Sequence, residues 1–141
     1  MTDVVARIIF PFTIITGLAL WARGYAAVGD GFAAGAVAGL GAVLQFVALD
    51  VNAARRRVAA RFAPTFLVGG LLVTLLVTLG PLAWGLPPVT HVPAPGAKPL
   101  TLGVLDLHTA ALFDLGVGFA VYGAIVGTFD RLYPPLEGDE P

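Results

Sequence analysis

The stretch Gly24-Tyr-Ala-Ala-Val-Gly-Asp-Gly-Phe-Ala-Ala-Gly35 joins two long hydrophobic segments through a short turn dense in glycine. Gly24, Gly29 and Gly31 fall within eight residues that also hold one acid, Asp30. Glycine is favoured where φ is positive or where two backbones approach closely, so the stretch reads as a tightly packed turn. What flanks it decides the fold. A helix of roughly 20 mostly apolar residues crosses a bilayer, and both flanks have that length and character.

Two further segments qualify, and the four spans expected run approximately over Val4–Ala22, Gly31–Leu49, Phe66–Leu86 and Val104–Phe129. None alternates with the period of two that an outer-membrane barrel strand requires. The composition agrees: 57% of the 141 residues are hydrophobic and 12% are charged, against about a quarter charged in an ordinary soluble domain. The fold class expected is therefore an all-α membrane protein of four transmembrane helices. The N-terminus has no small-residue cleavage pattern and reads as a retained first span. Pro11 and Pro81 each remove a backbone donor and are expected to kink or loosen the first and third spans.

Orientation follows from the basic residues. Arg55, Arg56, Arg57 and Arg61 lie between the second and third spans, which puts that connection in the cytoplasm. Both termini are then cytoplasmic as well, with Arg7 and Arg131 on the same side and only Arg23 and Lys98 opposite. Trp21 and Trp84 end outward-going spans, where aromatic anchors commonly sit. The connection from Pro87 to Leu102 holds five prolines and reads as a stiff extended strap. Residues 134–141 form an acidic, proline-rich cytoplasmic tail.

Small residues form two stripes. Gly31, Gly35 and Gly39 recur every four residues in the second span, and Gly116, Ala120, Gly123 and Gly127 share one sector of the fourth. Such spacing lets helix backbones pack closely in lipid, either among the four spans or against a separate chain. Intramembrane acids are functional candidates by default. Counted from Val104, Asp114 falls about 15 Å along the fourth helix, near mid-bilayer, on a face shared with Gly118, Val121 and Ile125 and opposite the small-residue stripe. It reads either as a proton- or cation-handling group or as an interhelical hydrogen-bonding partner. Asp106 and His108, at the outer end of that span, are candidates for an entry-side relay. Asp50 is expected to pair with Arg55 or Arg57, Asp30 to cap the second helix, and Thr74 and Thr78 to bond back to their own helix.

Other classes lack material. With no cysteine there are no disulfides, thiolate zinc sites or cysteine-held iron–sulfur clusters within the chain. No nucleophile–base set, phosphate loop or nucleotide fingerprint is present, and a net charge of −1 gives nucleic-acid binding no support. No cofactor, metal or catalysis is expected.

Three stretches carry a family resemblance: Arg7-Ile-Ile-Phe-Pro-Phe12; Arg23 through Gly35, which looks like "GHxxPGGGFxGG"; and Leu112-Phe-Asp-Leu-Gly-Val117, which looks like "LFDxGV". Together with the four-span layout they resemble the MnhB/MrpB family of the multisubunit Mrp (Mnh) cation/proton antiporters over nearly the whole chain. Tyr25, Val28 and Asp30 depart from the family's His, Pro and middle Gly. The resemblance implies Gly24, Gly29, Gly31, Phe32, Gly35 and Asp114 as residues of interest. It also implies an accessory component in the cell (inner) membrane, with Na⁺ and H⁺ as transported ions. The partners implied are complex I-like large subunits and small membrane subunits. Two alternatives stand beside this reading: a membrane-arm component of a hydrogenase-type redox complex, and a tetraspan scaffold with no ion role.

Overall fold

Apolar runs interrupted only by small residues form helices, because lipid leaves the backbone no partner but itself. The computed structural model describes residues 1–23, 30–90, 100–102, 105–107 and 109–133. It has four helices long and apolar enough to cross a membrane. Helix α1 covers Thr2–Arg23 and α2 Gly31–Ala48. A short helix α3, Val51–Arg57, and a 3₁₀ turn, Ala60–Phe62, lead into α4, Ala63–Leu79. A further 3₁₀ turn spans Gly80–Trp84. A minimal antiparallel hairpin, β1 (Leu100–Leu102) and β2 (Leu105–Leu107), precedes α5, Thr109–Leu132.

The helices stand in an open row. Helix α1 packs on α2, α2 on α5 and α5 on α4, while α1 meets α5 only lightly. Gly17 faces Ala34 and Gly41 faces Thr13, so α1 and α2 run antiparallel; Gly31 lies against Asp114 and Gly35 against Gly118, so α2 and α5 run parallel. Gly70 meets Gly116 and Ala120 while Gly123 meets Ala63 and Leu67, so α4 and α5 are antiparallel. The two central helices are the more buried, and α1 and α4 leave most of their surface open.

Both stripes of α5 are packed. A Cβ on Gly31 or Gly35 would run into the carbonyls of Asp114 and Gly118, and one on Gly39 would come within 2.7 Å of Ile125. On the other side a Cβ on Gly116 would stand 2.7 Å from Thr74 Oγ1, and one on Gly123 would press into Ala63 and Leu67. Gly127 is looser, since its Cβ would make an ordinary 3.7 Å contact with Ala63. The face of α5 that carries Asp114 is thus a second close-packed seam.

The prolines are accommodated differently. Helix α1 continues through Pro11. That residue has no N–H to offer the carbonyl of Arg7 one turn earlier, and Arg57 Nη2 donates to this oxygen at 2.9 Å instead. Pro81 sits at the start of the 3₁₀ turn into which α4 gives way, and Pro64 occupies the first turn of α4, where the missing donor costs nothing.

Several boundaries differ from expectation. The third span starts at Ala63, ahead of Phe66, and its α-helix ends at Leu79 before the 3₁₀ turn. The last helix starts at Thr109, not Val104, because Leu105–Leu107 pairs with Leu100–Leu102 as a strand. The arginine-rich connection is itself helical, with Asp50 as its N-cap: the carboxylate accepts from the amides of Asn52 at 3.1 Å and Ala53 at 3.4 Å. Asp50 therefore serves a helix end, and pairs with neither Arg55 nor Arg57.

Candidate functional site

The row has two chemically distinct ends. The one shared by the start of α1 and the end of α5 is basic and is tied together by α3. Arg55 Nε donates to Asp130 Oδ1 at 2.6 Å, and its Nη2 donates to the carbonyls of Asp130 at 3.0 Å and Tyr133 at 3.3 Å. A guanidinium at a helix C-terminus meets both unsatisfied carbonyls and the negative end of the dipole. With Arg57 on the Arg7 carbonyl, α3 thus holds α1 and α5 at once. Tyr122 adds a third tie, donating to the Val58 carbonyl at 2.9 Å.

The other end holds Asp114 and Asp30. Asp114 lies five residues past Thr109, about 7.5 Å along α5. It therefore stands in the first two turns of the helix, nearer the helix start than counting from Val104 gives. It is half-buried beside Gly31 at the start of α2, and the ion pairs among the described residues, Met1–Asp3 and Arg55–Asp130, leave it out. Trp21 reaches across from α1 and donates through Nε1 to the Ala111 carbonyl at 3.4 Å, one turn before Asp114. Asp30 occupies the N-cap position of α2, but its side chain makes no capping bond; its carbonyl accepts from Ala34 N at 2.9 Å.

Asp106 is on β2 opposite Thr101, so it does not share a helix with Asp114. His108, Gly24, Gly29 and the 134–141 tail lie outside the described residues, as does much of the proline-rich strap. Phe32 is exposed beside buried Gly31 and Gly35. Among the described residues no group of three or more His, Cys, Asp or Glu side chains is arranged to hold a metal. Thr74 and Thr78 donate to the carbonyls of Gly70 and Thr74, one turn back.

Three side chains that tie the helices together do not stand out in the sequence. Gln45 is fully buried in α2, with Nε2 donating to the Ala6 carbonyl at 2.7 Å, while Oε1 finds no partner among the described residues. The available signal is a lone amide inside an apolar run. Asp130 and Tyr122 offer less to read, since their partners lie 75 and 64 residues away.

Membrane-length helices in an open row, with an arginine-rich helix at one end and Asp114 near the other, define a multi-pass membrane protein whose described helices enclose no barrel. A family model described as "domain related to MnhB subunit of Na+/H+ antiporter" matches residues 1–127. The chain belongs to that family, as the motifs in its first, second and fourth spans suggest. It is 33% identical over 123 residues to the B subunit of the Na(+)/H(+) antiporter of Bacillus subtilis, covering 86% of this chain and 81% of that one. It is 28% identical over 122 residues to a putative antiporter subunit mnhB2 of Staphylococcus epidermidis, covering 86% and 85%. It also matches the A/B subunit of a probable K(+)/H(+) antiporter of Rhizobium meliloti, at 34% identity over 124 residues. There the match spans 87% of this chain but only 12% of the much longer relative.

Proposed function

We infer that this MnhB-family chain is an accessory, non-catalytic part of a cell-membrane antiporter that exchanges a monovalent cation for protons. It contributes to assembly, and its acidic end borders the ion route. The observation that carries the reading is the open row: four helices side by side expose apolar faces in quantity and, among the described residues, surround no polar channel, so a transport path needs further subunits. The relatives' names supply the exchange, with Na⁺ in one case and K⁺ in another. Protons entering down the membrane potential contribute about 2.3 kcal/mol per charge per 100 mV, enough to drive cation extrusion when more than one enters per cation. Asp114 is the acid proposed to face that route, and the arginine helix and both termini are assigned to the cytoplasm by the basic-residue bias.

Inverted vesicles carrying the assembled complex test this, with antiport read as collapse of a proton gradient on adding Na⁺ or K⁺. Deleting this chain is expected to abolish exchange. Asp114→Asn, in a complex of unchanged subunit content, is expected to reduce it at least several-fold. Full activity in the Asn variant would remove the ion-route role and leave assembly alone.

A further inference from the structure

A slot of about 320 Å³ runs along one face of the row, between α1 and α5 and over α2. Its floor is made of small residues, Gly35, Ala38 and Gly118 among them, and its walls are apolar. It reaches along α1 from Phe10 to Trp21, about 16 Å at the helical rise. At the basic end it stops at Arg57, beside the polar ties that hold α3 in place.

We propose that this slot binds an anionic phospholipid, with one acyl chain in the apolar groove and the phosphate on Arg57. Two observations select that occupant. The first is shape: about 320 Å³ drawn out over that length makes a long apolar trough that suits an extended hydrocarbon chain. The second is charge. Arg57 is exposed, joins no ion pair among the described residues, and commits one donor to the Arg7 carbonyl. A guanidinium has five N–H donors in a fork that matches phosphate, so most remain for a headgroup. Arg7 is exposed on α1 at the same level and adds a second cation. An apolar trough ending in a cation is amphipathic in the same sense as a phospholipid.

The test is photolabelling of the intact antiporter complex in nanodiscs of phosphatidylcholine. The discs are doped with either phosphatidylglycerol or phosphatidylcholine bearing a diazirine on the acyl chain, and labelled residues are read by peptide mass spectrometry. Phosphatidylglycerol is expected to label Ile14, Leu18 and Phe119 about tenfold above phosphatidylcholine, which has the same phosphate but adds a trimethylammonium cation that Arg57 and Arg7 repel. Arg57→Gln keeps a donor for the Arg7 carbonyl but removes the charge, and is expected to erase that difference; Arg57→Lys should retain part of it. Equal labelling by the two lipids in the wild-type complex overturns the proposal, and this comparison stands even if the Gln variant fails to assemble. An unlabelled slot overturns it too, because a neighbouring protein then fills the groove.

Discussion

Gly69 and Gly70 are adjacent in α4 and face opposite demands. A Cβ on Gly70 would collide with the Gly116 carbonyl and the Ala120 amide of α5, while one on Gly69 meets nothing within 4 Å. Gly70→Ala is expected to force the helices apart at a cost of about 2 kcal/mol or more. Gly69→Ala is expected to be neutral or to gain up to about 1 kcal/mol from helix propensity. Thermal inactivation of the detergent-solubilised complex distinguishes the two, and equal midpoints for both variants would contradict the packing described. The spacing of small residues is legible in the sequence, but which glycines are indispensable is not. Gly116 and Gly127 look alike on a helix wheel, yet only the first sits against another backbone. Gln45 shows the same limit. Its buried amide is obvious once α1 is beside it, and nothing local names Ala6 as its partner.

Helix α3 acts as a clasp, because two of its arginines hold different helices. Arg55 and Asp130 are each about one-quarter to one-third exposed, so solvent screens part of the pair, and a double-mutant cycle on Arg55→Gln and Asp130→Asn is expected to return about 1 kcal/mol of coupling. Coupling indistinguishable from zero would show that the pair does not hold α3 to α5. Pro11 and Arg57 make a sharper pair: Arg57→Ala should destabilise α1 while Pro11 is present, and much less in a Pro11→Ala background, where residue 11 supplies the missing N–H itself. Additive effects would show that the Arg7 carbonyl was not the reason for the contact. The four spans are readable because lipid imposes length and apolarity at once. The start of α5 is not, because Val104-Leu-Asp-Leu107 is as apolar as the helix behind it, and a short apolar run does not distinguish strand from helix. Counting from Val104 carries Asp114 too far along the helix for that reason. The Arg55–Asp130 tie is illegible on different grounds: sequence offers nine acids and eight bases with no rule for matching them across such separations.

At the scale of the whole molecule, α1 and α4 run antiparallel to the parallel pair α2 and α5, which puts the start of α1, the end of α5 and α3 at one end of the row and Asp114 at the other. The proposed orientation is directly testable because the chain has no cysteine of its own. A single cysteine at Arg56 is expected to resist a membrane-impermeant maleimide in intact cells and react in inverted vesicles; a cysteine at exposed Trp84 should do the reverse. The opposite pattern at both sites would invert the topology and remove Asp114 from its assigned side. The proposed dependence on other chains, the core of the functional reading, rests on the absence of a polar path between the described helices. The decisive measurement is reconstitution into proteoliposomes of the affinity-purified chain, once with the subunits that accompany it from native membranes and once alone. The complex should exchange monovalent cation for protons while the isolated chain is inert; exchange by the isolated chain at a rate comparable to the complex would contradict the account.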